Sequence, residues 1–230
     1  MSTHQQEIEQ ELLRQIAESS KSDPLIGARI GAKLLNERLL EMMKSERGVH
    51  IESVLCALGA LAGYACQAAV RAQSTAQGLA ENALLIKVAT KTGKSYFFGE
   101  ELNKPLSAAQ HSIWSLAAQG ARLAGCTAFP DLKEIYEHTA AIVGTETFGL
   151  PRLPQQHAPN DFAENYLRVL WPVFQPSLGK VCIDPAHWPV LFGIAIQEVI
   201  LAGRSAIDPG LALRLVMECA VAMSKVDLAL

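Results

Sequence analysis

The chain lacks any block of charged residues of one sign. Its 230 residues include 20 lysines and arginines against 23 aspartates and glutamates, and the basic residues are dispersed along the sequence. A nucleic-acid-binding surface needs a basic patch or stripe, so we expect no nucleic acid among the partners. Half of the residues are hydrophobic, which allows a sizeable core without crosslinks by metal or disulfide.

Motifs of thiol and metal chemistry are also missing. The five cysteines form no Cys-x-x-Cys pair and have apolar neighbours, a pattern typical of buried free thiols in a reducing compartment. The six histidines form neither a His-Glu-x-x-His nor a Glu-x-x-His motif. The nearest candidate, Glu134 with His138, has the spacing of a surface ion pair on a helix. We therefore expect no metal and no cofactor.

Long runs of leucine and isoleucine are absent as well. The uncharged stretch 53–70 contains Gly59 and Gly63 at the spacing of transmembrane helix dimers. The stretch is short for a membrane span, rich in alanine and glycine, and interrupted by Tyr64 and Gln67. Its composition favours close packing of a helix inside a protein core, and we expect no membrane partner.

The N-terminal segment is amphipathic, without the basic and then apolar order of a secretion signal. Its apolar residues recur at helical spacing at Ile8, Leu12, Leu13 and Ile16. We predict a helix at about 4–20 whose apolar stripe docks on its own domain or on a neighbouring copy. The expected protein is thus soluble and cytoplasmic, and a homo-oligomer, most simply a dimer.

The rest of the chain is predicted to be mainly helical. A segment from about 50 to 73 is predicted as one buried helix, roughly 35 Å long at about 1.5 Å per residue. Aspartate-proline pairs and capping boxes predict the starts of further helices. These signals are Asp23-Pro24, Ser107 with Gln110, Asp131 with Glu134, Asp184-Pro185 and Asp208-Pro209. A further helix is predicted at about 161–174, and Pro172 is expected to kink it or end it.

A β-hairpin is predicted around residues 84–99. There, β-branched and aromatic residues lie on both sides of a Lys-Thr-Gly-Lys turn. The sequence TGKS at 92–95 also resembles the end of a phosphate-binding loop. However, Val88 replaces the first glycine of that motif, and a strand pattern rather than a helix follows. We therefore predict a turn without a nucleotide role.

These elements predict an all-α, bundle-like single domain over residues 1–230 with one small hairpin. Residues 144–160 form a long loop that is rich in glycine and proline and has no apolar period. Long structureless connections in compact domains are uncommon and are often binding or lid loops. The more ordinary interpretation is an ordered crossover that its prolines hold in place.

Candidate ligand-binding residues lie in this loop and beside the hairpin. Glu146, Arg152 and His157 carry charged or titratable groups of the loop, Phe148 is a candidate anchor, and Tyr96 follows the hairpin turn. A site between loop and hairpin would use Arg152 to bind an anion, with His157 or Glu146 as acid or base. On this hypothesis Arg152→Ala abolishes binding with little loss of stability. No catalytic residue is assigned.

Two further carboxylates interrupt the most apolar helices of the C-terminal third, Glu198 and Glu218. A carboxylate in such a segment pairs with a partner, faces solvent or lines a functional site. The sequence leaves these three possibilities open for both residues.

Three stretches of the chain resemble a family of mostly helical bacterial proteins. They are 96–106 (YFFGEELNKPL), 144–154 (GTETFGLPRLP) and 218–227 (ECAVAMSKVD). The resemblance covers roughly the latter two-thirds of the chain. It implies a bacterial cytoplasmic protein and, because the family has no established activity, it supplies no catalytic residue.

Two functional hypotheses follow from the residues. The first is a non-catalytic helical module that binds itself or a partner protein, because catalytic motifs are missing and the first helix is amphipathic. The second is an enzyme or a small-ligand-binding protein whose pocket is closed by the 144–160 loop. The first is favoured.

Overall fold

The computed structural model describes residues 3–90 and 93–228. This part of the chain is mainly helical and contains two small antiparallel strand pairs, which confirms the predicted fold class. Its helices and strands are α1 (Thr3–Ser19), α2 (Ile26–Met42), β1 (Lys44–Ser45), β2 (Gly48–Val49), α3 (Ile51–Ala76), β3 (Ile86–Ala89), β4 (Ser95–Phe98), α4 (Glu100–Asn103), α5 (Ile113–Leu123), α6 (Leu132–Ile142), α7 (Ala163–Val181), α8 (Trp188–Ala202) and α9 (Pro209–Met223).

Helix α3 is the centre of the fold, as its uncharged sequence predicts. It packs against α7, α8 and α9, and its residues 53–66 are all buried. The closest approach is to α9, where a Cβ atom on Gly59 would lie 2.7 Å from the carbonyl oxygen of Val216. A Cβ atom on Gly63 would collide with the backbone of Ala220. Glycine is therefore required at both positions for the two backbones to meet.

Two helices are long and apolar enough to cross a membrane by length and composition alone, namely Ile51–Ala76 and Pro185–Ala202. The most apolar part of the first is 94% buried inside the protein. The core helix of a soluble protein shares this length and composition with a membrane span. The expected absence of a membrane partner stays a prediction.

The hairpin of β3 and β4 packs on the segment that follows α9. Ile86 pairs with Phe98 and Ala89 with Ser95 in its register. The backbone N–H of Phe97 donates to the carbonyl of Lys225 at 2.7 Å, which attaches the hairpin to that segment. Residues 91 and 92 of the predicted turn lie outside the described residues. Gly93 has a φ of 84°, a left-handed conformation that favours glycine.

The predicted capping box at Ser107 is wrong. Residues 104–108 form a short π-helix, and α5 begins only at Ile113. The hydroxyl of Ser107 is occupied elsewhere, since it donates to the carbonyl of Asn103 at 3.3 Å and lies 3.0 Å from the hydroxyl of Tyr136. Ser112 caps α5 instead, because its hydroxyl accepts from the N–H of Ser115 at 3.2 Å.

Helix α7 continues past Pro172 to Val181, so Pro172 does not end it. The helix packs on the core through a buried aromatic residue next to the proline. Trp171 packs edge-on against Tyr64 and Trp188, with ring centroids 4.8 Å and 5.7 Å apart. These contacts hold α7 against α3 and α8 directly before the proline.

The cysteines are free thiols, as the sequence predicts, and all but one are buried. Cys56 of α3 and Cys219 of α9 lie with their sulfur atoms 3.6 Å apart, beside Gly59. Burial raises the pKa of the Cys66 thiol. A buried thiol that stays protonated is a poor nucleophile, so the four buried cysteines belong to the core, and the half-buried Cys126 packs against it.

Gly63→Ala should lower the free energy of unfolding by about 1 to 3 kcal/mol, because the added methyl group overpacks the contact with α9. Gly179→Ala in the last turn of α7 is the matched control. Its Cβ atom would meet nothing closer than 3.8 Å, so this variant should be neutral or more stable. Urea denaturation of both variants measures the difference. Equal stability of the two would contradict the glycine-mediated packing of α3 on α9.

Candidate functional site

The long connection between α6 and α7 is attached to the helical core at three points. It contains one turn of 3-10 helix at Gln155–His157. Its attached side chains are Phe148, Arg152 and His157, which the sequence marked as an anchor and as candidate ligand-binding residues. Each of them meets a residue from a distant part of the chain.

The first attachment is aromatic. Phe148 packs edge-on against Tyr96 of β4, with ring centroids 5.0 Å apart and an interplanar angle of 74°. Tyr96 is buried, and its burial is the main reason that its pKa is raised. Next to Phe148, a Cβ atom on Gly149 would lie 2.8 Å from the methyl group of Met223. The loop thus lies directly on the hairpin and on the end of α9.

The second attachment joins Arg152 to Glu218 of α9. The backbone N–H of Arg152 donates to one carboxylate oxygen at 2.6 Å. Its side-chain Nε and Nη2 donate to the other oxygen at 3.1 Å and 2.8 Å. The side chain of Glu218 is only 4% exposed, so its charge needs these partners. Among the possibilities left open for Glu218, the structure shows a paired carboxylate.

Arg152 also binds Glu134 of α6. Nη1 and Nη2 of Arg152 donate to the two carboxylate oxygens of Glu134, the second at 3.0 Å. Arg214 of α9 adds a second cation, 3.2 Å from Glu218 and 3.5 Å from Glu134. Hydrogen bonding to Arg152 lowers the pKa of Glu134, and hydrogen bonding to Glu134 and Glu218 raises the pKa of Arg152. We call these four residues the ionic cluster.

The third attachment is a carboxylate between two imidazoles. Nδ1 of His157 lies 2.7 Å from Glu52 in the first turn of α3, and Nε2 of His50 lies 3.3 Å from the other oxygen of Glu52. The neighbouring Ser53 hydroxyl accepts from the backbone N–H of Asn160 at 2.9 Å. An imidazole paired with a carboxylate is a group that acid–base catalysis uses. Here it also holds the end of the loop at the N-terminus of α3.

The four predicted ligand-binding residues are not brought together around one cavity. Tyr96, Arg152 and His157 belong to three separate contacts. Glu146 is exposed and makes no hydrogen bond or ion pair within residues 3–90 and 93–228. Cavities of about 570 Å³ and 530 Å³ lie elsewhere, along α3, α7 and the start of α8. A ligand role for these residues stays a prediction.

The sequence does not predict several of the residues that contact the loop. Glu52, Arg214 and His50 look like ordinary helix-surface or helix-end residues, and they lie far from the loop in the sequence. Glu134 was paired with His138 by spacing, whereas the structure pairs it with Arg152 and Arg214. Only Glu218 carried a signal, a charge inside an apolar helix. Glu198, the other such residue, is exposed and accepts a hydrogen bond from Asn36 at 2.9 Å.

No group of three or more His, Cys, Asp or Glu side chains that could hold a metal ion occurs among the described residues. Comparison of the chain with the profiles of known families, with curated proteins and with solved structures found no match. The resemblance to a bacterial helical family therefore stays a prediction.

Arg152→Ala should lower the free energy of unfolding by about 2 to 4 kcal/mol, because it leaves the buried carboxylate of Glu218 short of partners. Arg168→Ala is the control, since Glu164 on the surface of α7 is the partner of Arg168 among the described residues. The loss of this exposed pair should cost less than about 1 kcal/mol. Adding Glu218→Gln to Arg152→Ala should restore part of the stability. Equal losses in the two single variants would contradict the structural role of Arg152.

The acid dependence of stability should change in the same variant. Because Arg152 lowers the folded-state pKa of Glu134, their contact stabilises the protein fully above the unfolded pKa, about 4.3. This contribution is lost as the pH falls through the lowered folded pKa. Arg152→Ala should therefore flatten the decline of stability in this acidic range, as thermal melts at successive pH values measure. An unchanged decline would show that the contact does not form.

Proposed function

We propose that the protein is a helical self-association module in which α1 of one copy binds a groove between α2 and α7 of a second copy. The observation that carries the proposal is the apolar stripe of α1. Ile8 is 57% exposed, Leu12 and Leu13 are half-buried, and Ile16 is 6% exposed. The chain covers the C-terminal end of the stripe and leaves its N-terminal end uncovered.

The covered end of α1 lies near the start of α2 and the end of α7. Ile16 lines a small cavity there together with Gly27 and Val181. Burying the rest of a partly covered apolar face stabilises the associated state by about 25 cal/mol for each Å² of apolar surface. A second copy of the chain supplies a surface that fits it.

That surface is a groove of about 440 Å³ between α2 and α7. Its floor is apolar and includes Leu35, Phe174 and Leu178, and Leu34 at its edge is 40% exposed. The guanidinium of Arg38 lies 5.7 Å from the ring centroid of Phe174. Apolar side chains of an incoming helix would lie on the floor, beside the charged residues of α2 that line the groove.

Helix α1 carries four glutamates and one arginine, whereas α2 and α7 as whole helices carry five basic and three acidic residues. Opposite net charge of the helices favours the encounter of α1 of one copy with α2 and α7 of another. Within the groove itself, Arg38 is the cation that can pair with a glutamate of α1, beside Glu37 and Glu41. Because every copy has both surfaces, two reciprocal contacts close a symmetric dimer.

The alternative function is a small-ligand site closed by the 144–160 loop. It has less support, because the donors of Arg152 are used by two carboxylates and the imidazole of His157 is paired with Glu52. An anion would have to displace Glu134 or Glu218 before it could bind Arg152. The attached loop agrees better with a structural role.

Light scattering on a sizing column tests the proposal. The wild-type protein should approach twice the chain mass of 24.8 kDa as its concentration rises. Ile8→Ser with Leu12→Ser should shift it to the monomer, because the stripe loses its apolar surface. Gln10→Ser with Gln15→Ser changes exposed polar positions of the same helix and should leave the dimer intact.

The groove is tested by Leu34→Glu, which puts a carboxylate where the acidic helix would bind. This variant should also be monomeric, with an unchanged melting temperature because Leu34 lies at the surface. A wild-type protein that stays monomeric at high concentration would contradict self-association. A Leu34→Glu dimer as tight as the wild type would contradict the groove as its binding site.

A further inference from the structure

A second surface of the molecule has the features of a small-molecule site. A cavity of about 530 Å³ opens between the C-terminal half of α3, the middle of α7 and the start of α8. This volume lies within the range of ligand pockets, roughly 300 to 1,000 Å³. We call it the aromatic cavity. It involves neither α1 nor the 144–160 loop.

The walls of the aromatic cavity include three aromatic side chains, Tyr64, Trp171 and Trp188. All three are buried and fixed by their neighbours. Trp171 lies between the other two, edge-on to both. The indole N–H of Trp188 donates to the carbonyl of Cys182 at 2.8 Å. The rings therefore offer a rigid apolar wall against which a flat or apolar group can pack.

Arg71 of α3 supplies a positively charged group that is already held in place. Its Nε donates to the side-chain oxygen of Asn82 at 2.9 Å, and its Nη1 donates to the hydroxyl of Tyr64 at 3.3 Å. Its guanidinium also lies over the ring of Phe97, 4.9 Å from the centroid. Nη2 donates to no group of residues 3–90 or 93–228. Arg71 thus differs from Arg152, because Nη2 of its guanidinium stays available to donate to a carboxylate.

Glu81 supplies a negatively charged group in the lining of the same cavity. It is exposed and forms no ion pair with any described residue, Arg71 included. Two opposite charges that line one cavity without pairing to each other present separate positions for an anion and a cation. A ligand that carries both charges on one small framework would use both.

We propose that the aromatic cavity binds a free α-amino acid with an aromatic side chain. Its carboxylate accepts hydrogen bonds from Arg71, its ammonium group pairs with Glu81, and its ring packs against the wall of Tyr64, Trp171 and Trp188. The chemistry of the lining matches the three parts of such a ligand. This site is independent of self-association, which uses other residues of α7.

Tryptophan fluorescence and calorimetry with four probes test the proposal on the full chain. L-phenylalanine carries all three groups, phenylpropionate lacks the ammonium group, phenethylamine lacks the carboxylate, and L-alanine lacks the ring. L-phenylalanine should give a saturable fluorescence change, because Trp171 and Trp188 line the cavity. Each of the other probes should bind at least about tenfold more weakly, since each loses one contact.

Variants assign the contacts. Glu81→Gln should weaken the binding of L-phenylalanine about tenfold and leave that of phenylpropionate unchanged. Folding should not change, because Glu81 is exposed and forms no ion pair with a described residue. Arg71→Lys should weaken the binding of L-phenylalanine and of phenylpropionate, because each carries the carboxylate that Arg71 binds. His111→Ala alters the neighbouring cavity of about 570 Å³ and is the control that should leave the affinities unchanged.

The proposal is overturned if no probe gives a saturable signal with the wild-type protein. It is overturned equally if L-phenylalanine binds no better than phenylpropionate and phenethylamine, or if Glu81→Gln leaves its affinity unchanged. A loss of binding in His111→Ala as large as that in Glu81→Gln would place the ligand in the other cavity.

Discussion

The close approach of α3 and α9 is the contact on which the rest of the structure depends. Gly59 and Gly63 lack the side chains that would hold the two backbones apart, and Val216, Cys219 and Ala220 of α9 lie directly against them. This approach fixes α9 beside α3, and with it the segment after α9 on which the hairpin packs. It also fixes the carboxylate of Glu218 at the edge of the core, where Arg152 reaches it from the loop.

Both ends of α3 position polar groups. At its N-terminus Glu52 holds His157 and thereby the end of the loop, and towards its C-terminus Arg71 lies at the aromatic cavity. The loop resembles an ordered crossover, because its arginine and histidine are paired with carboxylates of the core. The surfaces that stay uncovered lie elsewhere, on α1, in the groove of α2 and α7, and in the aromatic cavity. The proposed binding functions therefore lie on the helices.

Local signals predict the central helix from its uncharged sequence, the hairpin from its turn and flanking residues, and the starts of α6 and α9 from their capping residues. Each of these signals depends on neighbours within a few residues. Ser107 shows the limit, since its hydroxyl satisfies a π-helix and Tyr136 rather than a helix N-terminus. The partners of the loop were not predictable, because the contacts of Arg152 with Glu218 and of His157 with Glu52 join segments 66 and 105 residues apart. The position of Glu218, a charged residue inside an apolar helix, identifies it as unusual. It does not predict which residue pairs with it. The same holds for Arg71 and Glu81, which only the fold places at one cavity.

Hydrogen–deuterium exchange as a function of protein concentration tests the central claim, that the loop is a fixed part of the fold and α1 is a contact surface. Amides of α1 and of α2 around Leu34 should exchange more slowly as the concentration rises, because self-association buries them. Amides of the 144–160 loop, including that of Arg152, should be protected to the same extent at every concentration. Two results together would contradict both claims: loop amides whose exchange rate changes with concentration, and α1 amides whose exchange rate does not.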